Sequence, residues 1–187
     1  DYWTITGPFI DFIQALFFKI FGVSWFSYVL HASLINFLFV ISTFYVLTKF
    51  ELNITYCFLY SLLLSILAYP SVGTPYVDHQ SSYFSIIAIY CFILALKTDL
   101  KIYWFFLPII LGVAFLTKQA PSGHIFLIIL ILSIIHIFFN CHLKKLFFII
   151  LGLLFFISSF FIALKLTEIP FSAFLQQYIL LDRKSVV

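Results

Sequence analysis

Residues 24–48 read SWFSYVLHASLINFLFVISTFYVLT, and this stretch decides the fold class. It holds no charged side chain, and apart from hydroxyls only His31 and Asn36 interrupt its apolar character. A helix needs roughly 20 mainly apolar residues to cross a bilayer, and this run supplies them. Strict apolar–polar alternation is absent, which argues against a β-barrel. The expectation is therefore a membrane-spanning helix over Ser24–Thr48.

The same reading extends downstream. Further spans are predicted at Asn53–Tyr69, stopped by Pro70, and at Ser81–Leu96, Ile102–Thr117, Gly123–Phe139 and Leu146–Leu164. Several are shorter than the roughly 20 residues a bilayer asks for. Polar ends or local thinning make up the difference. Upstream, Asp1–Gly7 reads as a loop. Pro8–Phe21, PFIDFIQALFFKIF, is too short and too polar to span. Its Asp11, Gln14, Ala15 and Lys19 recur at helical spacing opposite a Phe/Ile/Leu face. Pro8 suits a first helical turn and Gly22 a C-terminal stop. An amphipathic helix lying at the membrane surface is expected. The fold class is thus all-α, a polytopic transmembrane bundle of about six spans plus one interfacial helix.

Composition agrees. The 187 residues are 64% hydrophobic, 22% aromatic and only 9% charged, with a mean hydropathy of +1.18. Soluble domains carry roughly 25% charged residues, so this chain cannot cover a water-facing surface. The formal net charge of +3 comes without a basic run or basic–aromatic face, so no nucleic-acid partner is expected. The partner this composition demands is the lipid bilayer. Cys57, Cys91 and Cys141 have no CxxC or Cys/His spacing and read as small apolar residues.

Both ends are expected to be artificial. The chain starts at Asp1 and has no methionine. The tail Asp182-Arg183-Lys184-Ser185-Val186-Val187 matches the translation of a sequencing adapter, GATCGGAAGAGCGTCGTG. Residues 182–187 are therefore set apart from a partial transmembrane domain over 1–181.

The loops alternate in charge. Lys49–Leu52, Lys97–Lys101 and Asn140–Lys145 are short and lysine-bearing, and the positive-inside rule makes them cytoplasmic. The segments 1–21, 70–80, 118–122 and 165 onward then share the other side. That places Asp1, Asp11, Asp78, His79, Lys118, Gln119, His124, Glu168, Gln176 and Gln177 on one membrane face. The expected location is the cell (inner) membrane, with any site facing the periplasm or exterior.

Three clusters on that face carry chemistry. Thr74–Ser82, TPYVDHQSS, sets Asp78 beside His79 where a loop enters a span. It reads as a site for a charged lipid head group, or more plainly as a helix cap through Asp78 or Ser81. Gly112–Pro121, GVAFLTKQAP, ends a span on Lys118. That lysine can pair with phosphate as a point charge or simply snorkel at a helix end. Asp1–Pro8, DYWTITGP, offers a carboxylate above the membrane or a solvated loop with interfacial aromatics. His31 and Asn36 read as helix–helix hydrogen-bonding residues. His136 and His142 show no partner pattern, and the sequon Asn53-Ile54-Thr55 falls on the wrong side.

Taken in order, the acid, the Gly7-Pro8 turn and the amphipathic helix ending Phe21-Gly22-Val23-Ser24 resemble the first external loop of GT-C glycosyltransferases. The similarity is to the branch with protein O-mannosyltransferases and the lipid A aminoarabinose transferase. The Asp78 loop resembles that family's second acidic loop, and Gly112–Lys118 resembles its GL-x-x-L-T-K helix end. Together these motifs cover about residues 1–125. Ile169–Leu180 resembles a later external loop only loosely.

The resemblance implies an enzyme that moves a sugar from a polyprenyl-phosphate donor to a lipid, glycan or protein acceptor. A first acidic motif would precede Asp1, and with it and the C-terminal region missing the fragment is expected to be inactive by itself. The missing acid is the first candidate for the base and Asp1 the second. Asp78 and His79 would orient the acceptor or carrier, or bind a metal. Lys118, with Gln119 beside it, would hold the leaving phosphate. The cofactor stays open: a divalent metal is compatible and none is required. A polytopic transporter or lipid flippase is the alternative, favoured by His31 and Asn36. A non-catalytic assembly subunit is a third reading.

Overall fold

The computed structural model describes residues 7–69, 73–139 and 143–179. Asp1, Pro70, Asn140, Cys141, His142 and the 182–187 tail lie outside the described residues, as do the side chains of Gln176 and Gln177. Every element among the described residues is helical. Helix α1 is Pro8–Phe21, α2 Trp25–Lys49, α3 Ile54–Ala68, α4 Val77–Thr98, α5 Lys101–Thr117, α6 Gln119–Phe139 and α7 Leu143–Leu166. A short α8, Phe171–Phe174, runs into a π-helical turn, Leu175–Ile179.

Local chemistry sets these boundaries. Pro8 opens α1, Asp11 lies in its first turn and Lys19 in its last, complementing the helix dipole. Gly22, at φ 79°, ends it in a backbone conformation that favours glycine. Ser24 caps α2 through a reciprocal pair with Ser27 at 3.3 Å. Asn53 caps α3 through Thr55 N–H at 2.9 Å. The sequon asparagine is thus a helix cap.

Four helices, α2, α4, α6 and α7, are long and apolar enough to cross a membrane. The two shorter apolar helices, α3 and α5, lie between them in the chain. A helix stands at each of the six predicted spans, and three of them, α4, α6 and α7, begin three or four residues earlier than expected. Helix α4 begins at Val77, so Asp78 and His79 sit in its first turn rather than in a loop. Helix α6 takes in Gln119, with a break in helical geometry at Ala120.

Helix α5 is the centre of the bundle, packing against α4, α6 and α7. Its core partners include Ala88, Cys91, Phe92 and Ala95 of α4 around the fully buried Trp104. Two glycines within these helices permit close approaches. A Cβ on Gly152 of α7 would stand 2.0 Å from the Phe105 carbonyl oxygen. A Cβ on Gly112 of α5 would stand 2.4 Å from the Phe156 ring. Small residues at such crossings let helices associate where lipid offers no hydrophobic drive. Leu154, Phe155, Phe161 and Ile162 of α7 are exposed, as a lipid-facing helix requires.

Ion pairs mark the two ends of α4. Asp78 near its start pairs with Lys118 at the end of α5. Asp99 at its end pairs with Lys145 of α7 at 2.5 Å. The Lys145 ammonium also lies 3.1 Å from His136 Nε2 and over the Trp104 ring. Lys145 is therefore a buried tie between helices, not the solvated loop charge the sequence suggests.

Two outcomes test this architecture. Gly152→Ala should destabilise the protein by about 1–3 kcal/mol through overpacking, read as a lowered melting temperature in detergent. Gly123→Ala should be neutral, because its nearest neighbour would stand 3.7 Å away. Asp78→Cys and Lys118→Cys should react with an impermeant maleimide from one side of the membrane, and Lys97→Cys from the other.

Candidate active site

The acidic start of α4 and the end of α5 meet on one face. There the Lys118 ammonium donates to Asp78 Oδ1. The two side chains are 41% and 59% exposed, so the pair contributes only ~0–1 kcal/mol. It orients two charges without locking them. Tyr76, not Asp78, stands at the cap position of α4, and no side chain caps that helix. Of the two readings of Asp78, the structure thus favours an open charged group over a helix cap.

The neighbours of this pair are also placed by packing. The His79 ring lies 5.9 Å from Tyr76 and 6.2 Å from Tyr83, between aromatic rings on the exposed side. Tyr83 is held in turn by Phe39, stacked at 4.6 Å, and donates its O–H to the Ala68 carbonyl. Behind this surface, Ser122 Oγ lies 2.6 Å from Ser81 Oγ and 3.2 Å from Ser85 Oγ, joining α4 to α6.

Two other segments converge on the end of α5. Gly7 N–H donates to the Thr117 carbonyl at 3.0 Å. A Cβ on Gly7 would stand 1.8 Å from the Leu116 carbonyl oxygen, so only glycine fits. The Gly7-Pro8 turn therefore docks the start of α1 directly beside Lys118. From the other end of the chain, Tyr178 donates its O–H to the Phe115 carbonyl. Burial raises the pKa of its phenol, keeping it a donor. Gln119 donates to the Tyr178 carbonyl. Asp11 of α1 likewise has its pKa raised by partial burial.

Below this polar rim lies a cavity of about 470 Å³. Pro108, Gly112 and Phe115 of α5, Phe126 and Leu127 of α6, and Leu153, Phe156 and Ile157 of α7 form its apolar wall. Gln119 and His124 are its polar lining. A second, smaller cavity shares Pro108, Phe126 and Leu153 and continues along the same helices to Leu146. The chemistry available is a cation paired with a carboxylate and, next to that cation in sequence, an amide that lines an apolar cavity.

Of the residues singled out from sequence, the structure joins Asp78 to Lys118, while His79 contacts Tyr76 and Tyr83 and Gln119 bonds the Tyr178 carbonyl. Asp1 lies outside the described residues. Sequence reasoning missed Tyr178 and the Gly7 contact, both tertiary. Only the tyrosine's place in a loosely matching external segment could have signalled it. Among the described residues, no three His, Cys, Asp or Glu side chains gather to hold a metal. His31 and Asn36 are hydrogen-bonded between helices, to Gln14 and Gln80 and to the Ser65 carbonyl respectively.

The family model described as dolichyl-phosphate-mannose-protein mannosyltransferase matches residues 6–163. No curated protein and no solved structure gives a significant match. The match spans α1 to α6 and most of α7, including the Asp78–Lys118 face and the cavity wall. With its helical membrane bundle, it favours a glycosyltransferase over a transporter or flippase. The chain belongs to the dolichyl-phosphate-mannose-protein mannosyltransferase family, and is a multi-pass membrane glycosyltransferase of the GT-C kind.

Proposed function

We propose that this protein transfers a sugar from a polyprenyl-phosphate donor to a lipid, glycan or protein acceptor on the extracytoplasmic face of the cell membrane. The observation that carries the reading is the Asp78–Lys118 pair beside the apolar cavity between α5, α6 and α7. A polyprenyl-phosphate sugar needs both: an apolar furrow for the chain and a cation where the chain ends in phosphate. Lys118 directly precedes Gln119, which lines that cavity.

The reaction is a displacement at the anomeric carbon. An acceptor hydroxyl or amine attacks that carbon and loses its proton to a carboxylate. The bond from carbon to phosphate oxygen breaks, and the lipid phosphate leaves with the electron pair. Its growing charge needs donors already in place. Lys118 supplies one. The weak, exposed pair with Asp78 lets the ammonium turn to phosphate at small cost. Asp78, released, accepts from a sugar or acceptor hydroxyl, and His79 on its aromatic platform flanks it. Asp1 is the carboxylate of this chain proposed as base. Gln119 orients the phosphate from the cavity rim.

In the full-length protein, Lys118→Ala should raise KM for polyprenyl-phosphate mannose by about 10- to 100-fold, the worth of one charge-assisted hydrogen bond. Asp78→Asn should lower kcat with less effect on KM. Release of polyprenyl phosphate from labelled donor in membrane vesicles measures both. Wild-type kinetics in the two variants would remove the assignment.

A further inference from the structure

His31 is fully buried in α2, two turns below the capped start of that helix. Both of its ring nitrogens are engaged. Nδ1 lies 2.7 Å from Gln14 Oε1 on the interfacial helix α1. Nε2 lies 3.3 Å from Gln80 Nε2 in the first turn of α4. An amide oxygen only accepts and an amide nitrogen only donates. The ring is therefore neutral with its proton on Nδ1, donating to Gln14 and accepting from Gln80. Phe17 of α1 stacks on the imidazole at 5.3 Å.

We propose that His31 is a positioning residue, clamping α1 to the start of α4 so that the charged face above them keeps one geometry. Gln80 follows Asp78 and His79 directly in the first turn of α4. Gln14 lies one turn from Asp11, so the same bond sets the rotation of α1 about its own axis. The clamp thus fixes two acid-bearing elements relative to each other.

Its cost argues for that role. Gln14 Nε2 and Gln80 Oε1 are buried and have no hydrogen-bond partner among the described residues. Each such atom carries an unrepaid desolvation cost. Apolar residues of similar size would leave no polar atom unpaired. What the polar triplet adds is a single register, because its bonds fail when any of the three helices rotates or slides. The apolar contacts of α1, such as Phe9 against Phe84 at 5.5 Å, are more forgiving of such movement.

The role in catalysis rests on the transferase reading above, and the clamp itself can be tested apart from it. His31→Phe keeps a ring against Phe17 and removes both hydrogen bonds. In the full-length protein in native membranes, it should lower turnover of polyprenyl-phosphate mannose on the order of 10²-fold, as misplacement of remote groups can, with KM little changed. His31→Asn places an amide where Nδ1 was, His31→Gln one where Nε2 was, and each should recover part of the loss. Gln14→Leu lies outside the spans and should reproduce the defect if the Phe variant fails to fold. Spin labels at Ala15 and Tyr76, in a chain whose three cysteines are replaced by alanine, should give one narrow distance in the parent and a broad one in His31→Phe and Gln14→Leu. A narrow distance in both variants overturns the clamp. Broad distances with parental turnover overturn its role in positioning. If Lys118→Ala leaves donor KM unchanged, the assignment of the Asp78–Lys118 face as the donor site falls, and the spin-label distances still judge the clamp.

Discussion

The close approach of backbone to α5 is the constraint on which the rest of this structure depends. Gly7, Gly112 and Gly152 each stand where a single added carbon would collide with a neighbouring helix or its own partner ring. In lipid, helices gain little from hiding apolar surface, since the tails are as apolar as leucine. Shape must do what the hydrophobic effect does in water. Gly152 brings α7 against the Phe105 carbonyl, and Pro108 fills the same crossing. Pro108 also removes the bond that the Trp104 carbonyl would otherwise receive. A short helix interrupted by proline is a poor span alone. Surrounded by α4, α6 and α7, it becomes the post around which they are arranged.

That arrangement explains why the chemistry gathers at one end. The end of α5 receives the Gly7 turn, the Asp78 carboxylate and the Tyr178 hydroxyl, from three widely separated parts of the chain. The far end of the bundle is closed differently. There Lys145 is buried among Asp99, His136 and Trp104. A buried ammonium with three partners resists rearrangement, because losing one of them leaves a desolvated charge. An exposed pair such as Asp78–Lys118 can exchange partners for a fraction of that energy. One end is tied by a buried ammonium and the other carries an exposed, exchangeable pair.

The apolar helices, helix α1 and the meeting of positions 78 and 118 at one end of the bundle were legible in sequence, because each follows from local apolar length and from counting crossings. The starts of α4, α6 and α7 were misjudged, the first two for one reason. Asp78, His79 and Gln119 are polar, and a hydropathy reading trims polar residues from a span even where the helix continues through them. Lys145 shows the opposite failure. Its neighbours in sequence, Leu143 and Lys144, make it look like a loop lysine, while its partners lie 9 and 46 positions away. The Gly7 contact could not be read either. A glycine before proline signals a turn, but nothing local says that a backbone carbonyl 110 positions on will lie against it.

The same distinction bears on how the family resemblance should be weighed. Its motifs are short and each is weak alone, since a lysine ending a span or an acid opening one is common in membrane proteins. Their force comes from being joined in space. Asp78 and Lys118 are 40 positions apart and meet as an ion pair, with Gln119 turned to the rim of an apolar cavity. A snorkelling lysine would reach outward to water and need no carboxylate from another helix. A capping aspartate would bond its own helix start, and this one does not. Each bland reading accounts for one residue by itself. Neither accounts for the two charges meeting next to Gln119, which lines an apolar cavity.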